Sequence, residues 1–113
     1  MQLELNREGG VLTAALIGEL DHHAAGDIRH QIDAAVLSCR CNRLRLDLSR
    51  LSFMDSSGIG LIMGRYRLMT SMGGRLTVEN SGERLERMIR LAGLDRLPIW
   101  NETQERNDAS ETH

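Results

Sequence analysis

The fold is decided by residues 51–66, which read LSFMDSSGIGLIMGRY. An apolar beginning gives way to the polar segment DSSG at residues 55–58. Short oxygen-bearing side chains of this kind accept hydrogen bonds from the free amides in the first turn of a helix. Apolar residues then recur at helical spacing as far as about Thr70. The stretch therefore predicts a strand that leads directly into a helix, with Ser56 at its start and in a capping position.

The predicted helix carries two glycines and one apolar face. Gly60 and Gly64 lie four residues apart, and therefore on the same side of the helix. Because each glycine costs a helix interior about 1 kcal/mol relative to alanine, we predict that the pair permits close packing. The face predicted to be buried comprises Ile59, Ile62, Met63, Tyr66 and Met69.

Strand and helix patterns alternate along the rest of the chain. A hairpin is expected around Gly9-Gly10, and the later elements are predicted as a helix at 24–38, a strand ending near residue 51, a strand at 75–80, a helix at 82–91 and a last edge strand at 97–100. This alternation predicts an α/β fold, with helices packed on a mostly parallel sheet of four to five strands. We expect one domain over residues 1–100 and a polar, frayed tail over residues 101–113.

Composition excludes several classes of partner. The net charge is −2 and lysine is absent, so the chain offers no basic field for a nucleic-acid backbone and no P-loop lysine for ATP. No stretch approaches the roughly 20 apolar residues of a membrane span, and the amino terminus lacks the pattern of a signal peptide. We therefore expect a cytoplasmic protein that binds no nucleic acid, no membrane and no cofactor.

The two cysteines flank a single arginine. Cys39 and Cys41 are too close for an ordinary disulfide framework in a reducing compartment, and no second pair of ligands lies at a spacing that suits a metal. We predict that both are structural thiols.

The expected topology brings two polar segments together. Parallel strands ending near residues 18 and 51 place segments 19–23 and 53–58 on one rim of the sheet, where open α/β sheets hold their sites. The chemistry-bearing residues there are Glu19, Asp21, His22, His23, Asp55, Ser56 and Ser57. They suggest a Ser/His/Asp hydrolase or a metal site. The G-x-S-x-G pattern is absent, however, and adjacent histidines on a loop usually point apart.

Two interpretations of the DSSG segment remain. In the first, it only caps a helix. In the second, Ser56 accepts a phosphoryl group, which a helix amino terminus accommodates through its free amides and its dipole. Such a modification adds about −1.5 to −2 charges to the surface and leaves the fold intact.

Residues 51–66 resemble the signature of the STAS family, the anti-sigma factor antagonists. The segment GELDHH at residues 18–23 resembles the family's second hallmark, and its double histidine, together with MDSSG and GRY, is similar to the sporulation members. The resemblance runs from about Leu3 to Trp100, whereas the chain beyond is shorter and more polar than the family's terminal helix. It implies a STAS-like domain that acts by binding and is not an enzyme.

The resemblance also implies partners and site residues. The unphosphorylated antagonist would bind an anti-sigma factor that is also a serine kinase, with nucleotide held by that kinase, and so release the sporulation sigma factor. Phosphorylation of Ser56 would end the binding, and a serine phosphatase would reverse it. The residues implied to face the partner are Asp21, His22, His23, Asp55, Ser57 and Gly58. A STAS module of another pathway, either general stress regulation or a soluble transporter subunit, is the alternative.

Overall fold

The computed structural model describes residues 1–100, so the expected tail over residues 101–113 lies outside the described part. Its elements, in chain order, are β1 (Gln2–Glu8), β2 (Val11–Leu20), α1 (His22–Cys39), β3 (Arg43–Asp47), β4 (Leu51–Met54), α2 (Ser56–Ser71), β5 (Arg75–Glu79) and α3 (Gly82–Leu91), followed by a short 3-10 helix (Leu94–Arg96). No helix in this part is both long and apolar enough to cross a membrane.

Strand β2 is the centre of the sheet. It pairs antiparallel with β1 through the expected hairpin and parallel with β3, which in turn pairs parallel with β5. Strand β4 also pairs parallel with β2, beyond the β2–β3 ladder. The predicted α/β class, with a mostly parallel sheet, is confirmed, and the five-stranded sheet is mixed because the β1–β2 hairpin is antiparallel.

The chain between residues 43 and 54 differs from the prediction. The sequence indicates one strand ending near Leu51, but a turn at residues 48–51 divides it into β3 and β4. The turn is held by the Ser49 N–H, which donates to the Asp47 carboxylate over 3.1 Å. A register shift between Gly18 and Glu19 then lets the long strand β2 pair with both pieces.

The core lies between the sheet and the helices, and is built from aliphatic side chains. The row Leu12, Leu44 and Leu76 crosses three paired strands, and each of these residues is at most 3 % exposed. Alternate residues of each strand face the same side, so the intervening positions of these strands form the opposite face of the sheet. Arg45 lies there and donates to Glu79 over 2.6 and 2.7 Å, which raises the pKa of Arg45.

The buried face of α2 is rotated relative to the prediction. Ile62 and Met69 are buried as expected, whereas Ile59, Met63 and Tyr66 are only partly buried. The other buried positions include Leu61 and Arg65. The predicted face was wrong by part of a turn because α2 packs against α1 as well as against the sheet. The buried side of α2 therefore includes Arg65, which lies against Asp33 of α1.

The prediction for Gly60 and Gly64 was also wrong. A β-carbon at either position would have no neighbouring heavy atom within 4 Å, so neither glycine permits a close contact. Gly60 is exposed and borders an open groove between α1 and α2.

The segment after α3 does not form the expected edge strand. Trp100 makes a single parallel bridge to Val78, and its buried ring stacks with the Arg90 guanidinium, 4.1 Å from the ring centroid. Pro98 lacks the N–H that a strand ladder needs, so pairing is limited to this one point.

The cysteine prediction was wrong as well, because Cys39 and Cys41 are joined in a disulfide. Arg40, the C-cap of α1, has a left-handed backbone with φ of 53°. This turn brings the two Cα atoms within 5.3 Å of each other, so both sulfurs meet on one side of the chain.

Candidate functional site

The site consists of two helix starts that lie side by side. Strands β2 and β4 are parallel neighbours, with Glu19 opposite Phe53 and Leu20 opposite Met54. The Asp55 N–H donates to the Leu20 carbonyl over 3.2 Å, which ties the beginning of α2 to the end of β2. The predicted meeting of segments 19–23 and 53–58 on one rim is therefore confirmed.

Asp21 is the N-cap of α1. Its carboxylate accepts from the backbone N–H of His23 over 3.1 Å and from that of Ala24 over 3.0 Å. The hydrogen bond from Ala24 holds the pKa of Asp21 below its usual value, and the contributions of His23 and His22 act in the same direction. The carboxylate thus has a clear structural role in its charged form.

The second helix start is also capped by an aspartate, which directly precedes the two serines. Asp55 has an extended backbone, and its carboxylate accepts from the Ser57 N–H over 2.8 Å. Ser56 is then the first residue of α2, exposed, and within residues 1–100 its hydroxyl has no hydrogen-bond partner. The capping position predicted for Ser56 was therefore wrong: Asp55 caps the helix and leaves the Ser56 hydroxyl to solvent.

Gly58 explains why the first turn of α2 is placed so closely against the sheet. It is buried, and a β-carbon there would overlap the Met54 side chain and lie 3.2 Å from Leu20 Cδ2. Only a glycine fits this position without rearrangement, so the packing beneath the turn fixes where Ser56 and Ser57 emerge.

The two histidines lie in the first turn of α1, with their rings together. The ring centroids of His22 and His23 are 4.0 Å apart and tilted by 37°, which corrects the expectation that they point apart. Within residues 1–100 neither ring hydrogen-bonds to a serine hydroxyl, and no group of three or more histidine, cysteine or acidic side chains is placed to hold a metal ion. Asp21 binds backbone amides, so the described residues do not assemble a Ser/His/Asp relay.

An open cavity of about 700 Å³ borders this rim between α1 and the start of β1. Its polar lining includes Glu19, Asp21, His23 and Ser52. It is wide and polar, and no residue of α2 lines it. The cavity therefore adds an acidic surface next to the start of α1.

Two features of the structure were missed by the sequence analysis. Phe53, three residues before Ser56, is 39 % exposed on the short strand β4. Arg65 is buried against Asp33, with Nε 3.0 Å from Oδ1, although the angle is too bent for a hydrogen bond. Periodicity treats arginine as a surface residue, and the Asp33 partner lies on another helix, so no local signal identified this pair.

Comparison with known proteins places this geometry in a family. The sequence profile of the STAS domain matches residues 2–106. The anti-sigma F factor antagonist of Paenibacillus polymyxa is 39 % identical over 102 residues, which cover 89 % of this chain and 87 % of that protein.

Solved structures agree with the sequence relatives. The unphosphorylated form of the anti-sigma factor antagonist SpoIIAA superimposes with a TM-score of 0.77 and 30 % identity, over 99 % of this chain and 98 % of that one. The phosphorylated form of the Bacillus cell fate determinant SpoIIAA gives 0.70 and 31 %, over 96 % and 99 %.

Proposed function

The chain belongs to the STAS domain family and, within it, to the anti-sigma factor antagonists, and from this we propose how it works. In its unphosphorylated form it binds an anti-sigma factor that is also a serine kinase and thereby releases a sporulation sigma factor. Phosphorylation of Ser56 ends the binding, and a serine phosphatase restores it. The function is similar to that of SpoIIAA and acts through binding, with no catalysis by this chain.

One observation carries the proposal. The Ser56 hydroxyl is exposed at the first position of α2, while Asp55 provides the cap. A kinase can therefore reach the hydroxyl without breaking a hydrogen bond of the fold. Ser57, in contrast, is partly buried, and the capping bond to Asp55 comes from its own backbone N–H.

A phosphoryl group at this position is compatible with the folded protein. Free amides and the helix dipole at an α-helix amino terminus favour negative charge. The phosphoserine adds about −1.5 to −2 charges to the rim, in an interface where the unmodified protein presents a neutral hydroxyl. We propose that like-charge repulsion and the cost of desolvation then separate the complex.

The proposed partner surface is the pair of helix starts. Asp21, His22 and His23 form one side and Asp55, Ser57 and Gly58 the other, joined by the hydrogen bond from the Asp55 N–H to the Leu20 carbonyl. The two starts present polar groups on backbone that is fixed by caps and packing. Because the proposed partners act on transcription, we place the protein in the cytoplasm, with any nucleotide bound by the kinase.

The test is phosphorylation by the candidate kinase. The purified protein, the anti-sigma kinase and ATP are incubated, and the phosphorylated residue is located by mass spectrometry. We expect phosphate on Ser56 and none on Ser56→Ala, which should stay bound to the kinase in the presence of nucleotide. Its free energy of unfolding should change by less than about 0.5 kcal/mol, since Asp55 retains the cap. Phosphate mainly on Ser57 would refute the assignment.

A further inference from the structure

Phe53 is the one aromatic side chain that the described part of the chain leaves on its surface. The sequence holds a single Phe, a single Tyr and a single Trp, all within residues 1–100. Trp100 is buried and Tyr66 is partly buried against the core, whereas Phe53 is an exposed residue. Proteins usually bury such large apolar groups, and those on a surface are enriched in protein interfaces. The exposed ring of Phe53 therefore points to a contact at this position.

Glu19 is the neighbour of Phe53 on the adjacent strand. Glu19 of β2 and Phe53 of β4 are paired across the parallel ladder, in which strands lie about 4.8 Å apart. The next pair in register, Leu20 and Met54, is buried in the core. Because successive residues of a strand point to opposite faces, Glu19 and Phe53 both face away from the core, in agreement with their exposure. The end of the β2–β4 ladder thus presents a carboxylate and an aromatic ring side by side.

The chain contains a complete example of what such a pair of groups binds. The Arg90 guanidinium lies 4.1 Å from the centroid of the Trp100 ring, and its Nε donates to the Glu86 carboxylate over 3.1 Å. One positive charge is thus held by a ring face and a carboxylate together. Within residues 1–100, Phe53 has no cation over its ring and Glu19 forms no ion pair. The rim therefore offers the same two groups without an arginine of this part of the chain.

The surrounding charge favours a cationic occupant. Asp21 and Asp55 directly follow the two strands, so that with Glu19 three carboxylate-bearing residues lie at this end of the sheet. Arg50, which directly precedes β4, is bound to Glu4, with Nη2 2.6 Å from Oε1. Electrostatic complementarity therefore favours an arginine supplied by another protein.

We propose that Phe53 and Glu19 together bind one arginine side chain of the anti-sigma kinase, whose guanidinium stacks on the ring and donates to the carboxylate. This inference rests on the proposed function and specifies the chemistry of one contact in it. A guanidinium suits both groups, because it is planar, stacks on aromatic faces and carries a fork of N–H donors. Phe53 lies three residues before Ser56, so the contact continues the proposed partner surface from the start of α2 onto the end of β4.

The test is a double-mutant cycle on kinase binding, measured by calorimetry in the presence of nucleotide. Phe53→Leu keeps an apolar side chain on β4 and removes the ring, and Glu19→Gln removes the charge. We expect each change to weaken binding about tenfold, and the combined variant to lose clearly less than about 100-fold, because one arginine contacts both groups. The controls are Leu37→Ala, an exposed apolar residue in the last turn of α1, and Glu8→Gln, an exposed carboxylate at the hairpin end of β1. Both controls should bind as the parent protein does.

The outcomes separate the contact from the proposed function. Unchanged affinity in Phe53→Leu or Glu19→Gln, losses that multiply in the combined variant, or equal losses in the controls would overturn the contact alone. A parent protein that does not bind the kinase would overturn the proposed function, and the contact with it. Thermal melting of each variant checks that it is folded. If Phe53→Leu fails to fold, Phe53→Met also removes the ring and keeps an apolar side chain, and so gives the same comparison.

Discussion

The two helix starts on the rim share one backbone design and differ in their side chains. Each follows a strand, and the two strands are parallel neighbours; each begins with an aspartate whose carboxylate accepts from amides of the first turn. After Asp21 come two stacked histidines, and after Asp55 come two serines. Capping is therefore common to both starts, and what distinguishes them chemically is the pair of residues that follows the aspartate.

The packing beneath the two starts also differs. The third residue after each cap is Ala24 in α1 and Gly58 in α2. Ala24 is partly exposed, whereas Gly58 is buried against Met54 and Leu20. The first turn is therefore packed more closely against the sheet at the serine-bearing start than at the histidine-bearing start. The closer packing lies under the start that carries the proposed phosphorylation site.

The largest expected effect comes from placing a charge on the serine-bearing start. Ser56→Asp should weaken binding to the anti-sigma kinase about 100-fold, which corresponds to about 2.7 kcal/mol, while the melting temperature changes little. Asn6→Asp adds the same charge on the exposed strand β1 and serves as the control. Calorimetry of kinase binding should show the loss of affinity for Ser56→Asp and not for Asn6→Asp. Equal losses would mean that net charge matters and not its place on the rim.

The next effect concerns the packing under that start. Gly58→Ala should lower the free energy of unfolding by about 1–3 kcal/mol, because the added carbon overlaps Met54. Gly60→Ala, two residues later, adds a methyl group in open space and should raise stability by up to about 1 kcal/mol. Urea denaturation of both variants measures the difference. Similar changes in the free energy of unfolding for both variants would show that the two glycines are equivalent and that packing against Met54 does not constrain the start of α2.

A smaller effect is expected at the histidine-bearing start. Asp21→Ala removes the cap and should lower the melting temperature by a few degrees, and it should weaken the kinase complex at least tenfold. Asp21→Asn keeps a capping oxygen without the charge, so it isolates the electrostatic part of binding. If affinity is unchanged and only the melting temperature falls, Asp21 is a cap alone.

The smallest expected effect is a pH dependence of the same residue. The pKa of Asp21 is lower in the folded protein than the ordinary value of 3.8, because the carboxylate accepts backbone hydrogen bonds. Its contribution to stability is therefore present above that value and is lost as the pH falls through the folded pKa. Between about pH 5 and pH 2, the melting temperature of the parent protein should fall more than that of Asp21→Asn. Parallel curves would assign the acid sensitivity to other carboxylates.

The sequence predicted the elements that have strong local signals. Three local signals were each sufficient to predict an element: the double glycine for the hairpin, the alternation of Leu44 and Leu46 for β3, and the amphipathic pattern for α3. The division between β3 and β4 was missed because its turn contains neither glycine nor proline and is held by the Asp47 side chain. Trp100 was misread because its place depends on Arg90 and Val78, which are distant in sequence.

The site was predictable in place but not in detail. Parallel topology alone brought segments 19–23 and 53–58 to one rim. It did not reveal that Asp55, one residue before Ser56, provides the cap, since aspartate and serine are equally suited to capping. The burial of Arg65 depends on packing between two helices, and no pattern within α2 indicates it.

The turn at residues 48–51 separates the sheet into two independently registered ladders. Strand β3 aligns with β2 over Val11–Ala15 and with β5, whereas β4 aligns with β2 only beyond the irregularity at Gly18. The position of the serine-bearing start is therefore set by the short β2–β4 ladder and not by the longer β2–β3–β5 ladder.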